Sequence, residues 1–253
     1  MTVNELYTLL DGAIPSSLSC HWDNDGLMVC PDGYKKVSRA LVALDVTSDV
    51  VNAAIEGGYD VIISHHPFIF AALKSLDEAD FIPAKAMKLI KHNIAVMSFH
   101  TRLDAVAGGV NDTLASLIGL KNTAPFGDEG EAMGRIGELD GEMSLDEFAA
   151  LAKNALGAPT VLCADCGKRV HRVALLGGEG DDFIDAAIAA GADTYLSGRL
   201  GYHNMTDAPD MNINLIEAGH FFTENPVCEV LASMLRDMGI DTDVYFSNRI
   251  KAI

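Results

Sequence analysis

Short apolar runs alternate along the chain with longer segments in which apolar residues recur at helical spacing. The runs predict buried strands at Ala40–Leu44, Val61–Ser64, Ile94–Ser98, Val173–Leu176, Thr194–Ser197 and Ile213–Ile216. The segments between them, rich in Ala, Leu, Lys and Glu, predict helices at Val50–Glu56, Ala84–His92, Val110–Leu117, Leu145–Leu156, Phe183–Ala190 and Pro226–Met238. Strands that alternate with helices indicate βαβ units, so the predicted fold class is α/β.

One of these strand–helix–strand segments resembles another. Val42–Leu44 matches Val173–Leu175 at an offset of 131 and, after an insertion of two residues, Asn52–Ile55 matches Asp185–Ile188 at an offset of 133. The match predicts two similar lobes, each a parallel or mixed sheet flanked by helices. The alternative is the general likeness that any two βαβ units share.

Two segments have the composition of connections between lobes. Asn122–Gly134 is dense in Gly, Pro and acidic residues, and Asp207–Asn212 is similarly polar. We therefore expect the second lobe, residues 126–207, to be inserted in a first lobe formed by residues 1–125 and 208–253.

Histidines and acidic residues follow three of the predicted strands. The residues concerned are His65 and His66, His100 and Asp104, and His220 and Glu224. Ligands bind at the carboxyl ends of strands in open parallel sheets. If the three strands share one sheet and one direction, these side chains converge at one edge.

Imidazoles and carboxylates gathered in one place form a site for borderline divalent metals such as Zn, Fe, Mn or Ni. Six donors exceed what one tetrahedral ion binds, so two ions, with one carboxylate bridging them, fit better. Adjacent histidines in a regular strand point to opposite faces, but Pro67 imposes a turn here, so that His65 and His66 can each bind a different ion. A lone histidine, by contrast, is usually a surface residue or a hydrogen-bonded core residue.

Composition narrows the class of protein. The chain has 253 residues, is 49% hydrophobic and 21% charged, and carries a formal net charge of −18. So acidic a chain repels phosphate backbones and anionic lipid, which disfavours nucleic acid and membrane surfaces as partners. Five cysteines do not form a disulfide framework, and we expect a cytoplasmic protein. Cys163 and Cys166 form a single C-x-x-C pair, which indicates either reduced thiols or a zinc site.

A glycine-rich turn follows the strand Val173–Leu176. Gly177-Gly178-Glu179-Gly180 predicts either a cradle for an anion or a plain strand-to-helix connection. It is not a phosphate-binding P-loop, because no Gly-Lys-Ser/Thr follows.

Motifs in a fixed order connect the chain to a known family. They are WDNDGLMV, ALDVT, DVIISHHPFIF, HTRLDAVAGGVNDTLASLIGL, GRIGEL, SGRLGYH and IEAGHFFTE. From Trp22 to about Glu224 the sequence resembles the Nif-three-like dinuclear metal-centre family, also described as the GTP cyclohydrolase I type 2 homologues. The SHHP and GHxxxE elements together carry most of the specificity.

The resemblance implies a ligand set for two divalent metal ions per subunit. His65 and His66 match the histidine pair that binds one ion each, Asp104 and His220 match ligands of one ion each, and Glu224 matches the bridging glutamate. His100 matches a histidine that lines the site, either as an outer partner of the ligands or as an occasional ligand, and we assign it a candidate role as a proton relay. The family also implies a toroidal homohexamer.

Two further positions are candidate substrate contacts. Arg199 stands where many members of the family have an acid, and its cation could bind a substrate phosphate or carboxylate. The alternative is a surface substitution without consequence. His203 keeps the family's residue.

The expected function is that of a metal-dependent hydrolase acting on a small nucleotide-like substrate, with GTP as the substrate that the resemblance suggests. Two alternatives stay open. One is a metal-binding scaffold or regulatory protein without catalysis, and the other is a metal-dependent phosphoesterase or amidohydrolase.

Overall fold

The computed structural model describes residues 1–127, 132–246 and 248–253. The chain divides into two compact units, Met1–Val106 with Val227–Ser247 and Ala107–Pro226 with Asn248–Ile253. The second unit is inserted in the sequence of the first, and its boundaries differ from the predicted ones at 125/126 and 207/208. Residues 128–131, within the predicted connection at Asn122–Gly134, lie outside the described residues.

The first unit is a five-stranded sheet with helices. Its helices are α1 (Val3–Ala13), α2 (Ser48–Glu56), α3 (Phe81–Lys91), α4 (Thr101–Ala105) and α10 (Val227–Asp237). Its strands are β1 (Gly26–Val29), β2 (Arg39–Ala43), β3 (Val61–Ser64), β4 (Ala95–Ser98) and β11 (Asp241–Val244). The strand order is β1-β4-β3-β2-β11, and all neighbours are parallel except the edge strand β1.

The centre of this sheet is buried on both faces. Every residue of β3 and β4 is buried, which explains why these strands are continuous apolar runs without alternation. Leu41, Ile62 and Val96 pack in one cluster with Val50 of α2 and Leu89 of α3. The helices therefore cover the sheet through the apolar faces that their sequences predict.

The second unit is a six-stranded mixed sheet with helices. Its helices are α5 (Val110–Ile118), α6 (Leu145–Leu156), α7 (Ile184–Ala189), α8 (Tyr202–Met211) and α9 (His220–Glu224). Its strands are β5 (Lys121–Phe126), β6 (Gly134–Met143), β7 (Leu162–Ala164), β8 (Val170–Glu179), β9 (Thr194–Arg199) and β10 (Asn214–Glu217). The order is β5-β6-β8-β9-β10-β7, in which β8, β9 and β10 are parallel and the outer strands antiparallel.

Local sequence signals set the ends of the helix α6. Ser144 accepts a hydrogen bond from the backbone N–H of Glu147, whose side chain accepts one from the backbone N–H of Ser144. Gly157 ends the helix in the left-handed conformation, with φ of 63°. Phe148 and Ala152 of α6 then pack with Val173 and Leu196 in the core of the unit.

The predicted boundaries miss two strands of the second sheet. β5, which holds much of the predicted connection at 122–126, pairs with β6, and β10, predicted to belong to the first lobe, pairs with β9 and β7. Composition marked Asn122–Gly134 and Asp207–Asn212 as the connections because they are polar, but backbone pairing places both Lys121–Phe126 and the strand that follows Asn212 in the second sheet.

The three strands that are followed by histidines do not all lie in one sheet, so the assumption that they share one is wrong. β3 and β4 are neighbours in the first sheet, whereas β10 belongs to the second. All three are short apolar runs of the same kind, so the sequence pattern does not predict which strands pair with each other. The donors that follow β10 are therefore presented by a different unit from those that follow β3 and β4.

The predicted internal duplication is present, but its alignment differs. The carboxylate of Asp60 accepts backbone hydrogen bonds from Ser38 and Arg39, and that of Asp193 accepts them from His171 and Arg172. The side chains of Arg39 and Arg172 each donate to a backbone carbonyl, of Gly57 and Ala190 respectively. These pairs all lie 133 positions apart, so the proposed two-residue insertion is wrong and the duplicated βαβ segments align without a gap.

In each unit, a five-residue helix comes directly after the third parallel strand. In the first unit β4 leads into α4, and in the second β10 leads into α9. These two helices carry Asp104, His220 and Glu224. The duplication thus extends to the elements that hold the candidate ligands.

Within the described part of the chain, no helix combines the length and the apolar character needed to cross a membrane.

Candidate metal centre

Three histidines of the first unit lie together at the carboxyl ends of its central strands. His65 and His66 directly follow β3, and His100 lies just before α4. One ring nitrogen of each lies within 4.8 Å of those of the other two, close enough for all three to hold one metal ion. His65 is fully buried, and the other two are partly exposed.

The three imidazoles are oriented in the same way. Nδ1 of His65 lies 2.9 Å from the carbonyl oxygen of Phe99, Nδ1 of His66 2.8 Å from Oδ1 of Asp45, and Nδ1 of His100 2.9 Å from Oδ1 of Asp23. Carbonyl and carboxylate oxygens only accept, so each Nδ1 carries the proton and donates. In the neutral ring Nε2 then holds the lone pair. Metal-binding histidines are usually oriented by such outer partners.

Asp104 adds a carboxylate to this group. It lies on α4, is largely buried, and its Oδ1 is 3.7 Å from Nε2 of His65. Two ligands of one ion, each about 2.1 Å away, are themselves about 3–3.5 Å apart. The spacing of His65 and Asp104 is close to that range.

A loop before β1 holds α4 in place, which spacing alone did not predict. Oδ2 of Asp23 accepts hydrogen bonds from the backbone N–H and the hydroxyl of Thr101. Oδ2 of Asp25 accepts from the backbone N–H of His100 and from Nε of Arg102. The two acids of the WDND motif therefore position the segment that carries His100 and Asp104, and their place in that motif was the only available signal.

Arg102 anchors the same helix from inside. It is 1% exposed and pairs with Asp25 at 2.9 Å and with Asp11 at 2.6 Å. It also donates to the carbonyl of Ile14 at 3.0 Å. A buried guanidinium with this many acceptors fixes α4 against the amino-terminal part of the unit.

Asp23 is held as a carboxylate. Burial by itself would raise the pKa of Asp23, but hydrogen bonds from His100 and Thr101 and the charge of His100 lower that pKa to about 2. The group is therefore ionised over the physiological range and keeps accepting the proton of His100 Nδ1.

The second unit contributes an imidazole and a carboxylate on α9. Nε2 of His220 lies 2.9 Å from Oε2 of Glu224, one helical turn away. Glu224 is buried, whereas the His220 side chain is 43% exposed. This spacing also suits two ligands of one ion.

The glycine turn at the end of β8 packs against Glu224. The Gly178 N–H donates to the hydroxyl of Thr223, and the Gly177 N–H donates to Oδ1 of Asn111. A Cβ at Gly178 would lie 2.2 Å from Oε1 of Glu224. The turn therefore shapes the space that the Glu224 carboxylate occupies.

The other predicted positions lie on the surface of the second unit. Arg199 forms an exposed ion pair with Glu179 at 3.1 Å, and His203 is exposed beside the ring of Tyr202. Cys163 and Cys166 are free thiols, and neither joins a group of potential metal ligands in residues 1–127, 132–246 and 248–253.

The donor sets fit divalent metal ions. The first unit offers imidazole nitrogens and one carboxylate, and the second offers one of each. Nitrogen with oxygen donors suits Zn, Fe, Mn and Ni better than Mg or Ca, which prefer oxygen alone. Residues of both units thus have the chemistry that metal binding requires.

Comparisons with known proteins agree with these features. The family model described as Duf34/NIF3 (NGG1p interacting factor 3) matches residues 1–252. The chain is 34% identical over 257 residues to the GTP cyclohydrolase 1 type 2 homolog of Clostridium acetobutylicum, across 98% of this chain and 96% of that protein. A solved structure of a Staphylococcus aureus hypothetical protein matches with a TM-score of 0.91 at 30% identity, covering 100% of this chain and 99% of the other. That of a Bacillus cereus protein related to NIF3 matches with a TM-score of 0.87 at 26% identity and the same coverage. The chain belongs to the Duf34/NIF3 family.

Proposed function

We propose that this protein is a metal-dependent hydrolase with a dinuclear centre that acts on a nucleotide-like substrate. The observation that carries the proposal is the common orientation of His65, His66 and His100. Each donates its Nδ1 proton to an oxygen of the same unit, so in the neutral ring Nε2 carries the lone pair with which a histidine binds a metal ion or accepts a proton.

We propose that His65, His66 and Asp104 of the first unit and His220 and Glu224 of the second would hold two divalent ions, with Glu224 as the ligand that the family resemblance implies for both. Two features support this set. In each close His–carboxylate pair, 3.7 Å and 2.9 Å, the carboxylate lies on one of the two short helices that the duplication makes equivalent. The same five positions match the ligands implied by the family resemblance.

Two divalent ions held there would lower the pKa of water and neutralise negative charge that develops on a substrate oxygen. His100 is the candidate proton relay. Because Asp23 accepts the proton of its Nδ1, Nε2 of His100 can accept a proton from water and return it to a leaving group. Asp23 also stabilises the imidazolium that forms.

GTP is the first substrate to test, since relatives of this chain bear the name GTP cyclohydrolase 1 type 2 homolog. The reaction we propose is hydrolytic opening of the purine ring. Arg199 and His203 are proposed contacts for the substrate phosphates. To contact a phosphate, Arg199 would have to leave its ion pair with Glu179. Because both side chains are exposed, the loss of that pair costs little free energy.

The metal content tests the centre directly. The purified protein, stripped with a chelator and reloaded with Zn, Mn or Fe, should bind two ions per chain by elemental analysis. The double variant His65→Ala/His66→Ala should lose them. His92→Ala, at an exposed histidine that ends α3, is the matched control and should keep both ions. Equal metal content in all three proteins would contradict the proposed centre.

The activity is tested separately. The loaded protein is incubated with GTP, and the products are identified by mass spectrometry, with phosphodiesters and cyclic amides assayed in parallel. Turnover of GTP that the double variant lacks would support the proposal. Metal binding without turnover of any substrate, together with loss of the oligomer on chelation, would identify a metal-binding scaffold instead. The same chelation experiment tests the proposed homohexamer by its mass in solution.

A further inference from the structure

Two aromatic side chains are exposed beside His100 in the first unit. Trp22 is 50% exposed and Phe70 is 57% exposed. The Trp22 ring centroid lies 6.3 Å from that of Phe70 and 6.3 Å from that of His100, both in edge-to-face geometry. Large aromatic side chains that are half exposed beside polar groups commonly mark a ligand-binding surface.

The backbone around both rings is fixed, although the rings themselves are exposed. Asp23, next to Trp22, is hydrogen-bonded to His100 and Thr101. The side chain of Asn24 donates to the carbonyl of Ile69, the residue before Phe70. These bonds hold the two aromatic positions next to each other and next to His100, so that binding to them costs little ordering of the protein.

We propose that Trp22 and Phe70 form a stacking surface for the planar heteroaromatic ring of the substrate, with a purine base as the ring class. A half-exposed indole offers a π-face of the size of a purine, and stacking on aromatic side chains is a main source of affinity for bases. Asp23, the residue that follows Trp22, places a carboxylate next to this surface, and its negative charge favours a neutral ring over a phosphate at this position. The inference rests on the proposed function, because it assigns a contact to the base of the nucleotide-like substrate.

The fluorescence of Trp22 can be used to measure binding at this surface. Trp22 is the one tryptophan in the sequence, so intrinsic indole fluorescence reports on this surface alone. Guanosine should quench it saturably, whereas ribose 5-phosphate, which has the sugar and phosphate but no base, should not. Phe70→Ala should weaken the apparent affinity for guanosine about 5-fold or more. Tyr34→Ala removes another exposed aromatic ring of the same unit and should leave the affinity unchanged.

Calorimetric titration with guanosine extends the test to position 22 itself. Trp22→Ala should abolish most of the binding, and Trp22→Phe should restore part of it because a ring is kept. Circular dichroism confirms that each variant is folded. Equal guanosine affinity in the wild type, Phe70→Ala and Tyr34→Ala would overturn the proposal. So would fluorescence that responds to dilution of the protein but not to guanosine, which would indicate that a second copy of the chain covers the rings.

The failures of the two proposals can be told apart. Quenching by guanosine without turnover of GTP supports the stacking surface and overturns the cyclohydrolase reaction. Turnover of GTP with no quenching, and with full activity in Trp22→Ala, overturns the stacking surface and leaves the hydrolase standing.

Discussion

The backbone of Gly178 lies directly against the carboxylate of Glu224, and only the absence of a side chain at position 178 allows this approach. A Cβ there would stand 2.2 Å from Oε1 of Glu224 and 3.5 Å from Cε1 of His220. Gly178 also has a φ of 73°, which side chains disfavour. The end of β8 therefore determines which positions the side chains of Glu224 and His220 can occupy.

Gly178→Ala should displace Glu224 and weaken metal binding about 10- to 100-fold, the usual effect of disturbing a neighbour of a ligand. The affinity is measured by competition of the stripped protein with a chelating dye. Gly191→Ala is the matched control, since Gly191 has a φ of 79° but a Cβ there would meet only Arg172 Nε at 3.9 Å. Both variants should lose about 1 kcal/mol of stability to backbone strain. Equal metal affinity in the two would refute the role given to Gly178.

Asp23→Asn should reduce metal affinity or activity about 10- to 100-fold without unfolding the protein. One oxygen of Asp23 accepts from His100 and the other from Thr101, so the amide NH₂ must face a donor on one side. An NH₂ that faces His100 leaves the Nδ1–H of His100 without its acceptor, and an NH₂ that faces Thr101 leaves the backbone N–H that holds α4 without its acceptor. Asp32→Asn, at an exposed turn of the same unit, serves as the control and should bind metal as the wild type does. Metal titration and the activity assay measure both variants, and wild-type values for Asp23→Asn would contradict the assignment.

Asp60→Asn should flatten the dependence of stability on pH in acid. Burial raises the pKa of Asp60, but backbone hydrogen bonds from Ser38 and Arg39, with a bond from Lys35, lower it from 3.8 to about 2. A lowered pKa contributes stability that is present above pH ~4 and is lost as the pH falls towards 2. The contribution is about 2 kcal/mol. Urea unfolding at several pH values measures it, and an unchanged slope in the variant would show that Asp60 is not its source.

Arg102→Met should destabilise the protein by about 3–5 kcal/mol, because it leaves the buried carboxylate of Asp25 without its cation. Arg199→Met should cost about 1 kcal/mol or less, since the pair of Arg199 with Glu179 is exposed. Urea unfolding compares the two directly. A similar small loss in both would mean that Arg102 does not anchor α4. If Arg199 contacts substrate phosphate, its variant should also raise the KM for GTP.

Sequence reasoning reached the candidate donors because each set is local. His65 and His66 end a recognisable strand, and His220 and Glu224 are four positions apart, so spacing alone predicts that they act together. Spacing did not predict the residues that accept the hydrogen bonds of these histidines. Asp23 lies 77 positions from His100, and Asp45 lies 21 from His66. Such pairs form only when the chain folds, and no periodic pattern marks them.

The sequence by itself determined the class of fold, the helices and central strands, the duplication and the choice of candidate donor residues, because these follow from hydrophobic periodicity and from neighbours along the chain. Tertiary structure alone decided which strands pair, and so put β10 in the second sheet and moved both unit boundaries. It also decided the proton positions of the three imidazoles and the packing of Gly178 against Glu224. These features depend on contacts between distant segments, and their energies are set by geometry that a linear pattern does not contain.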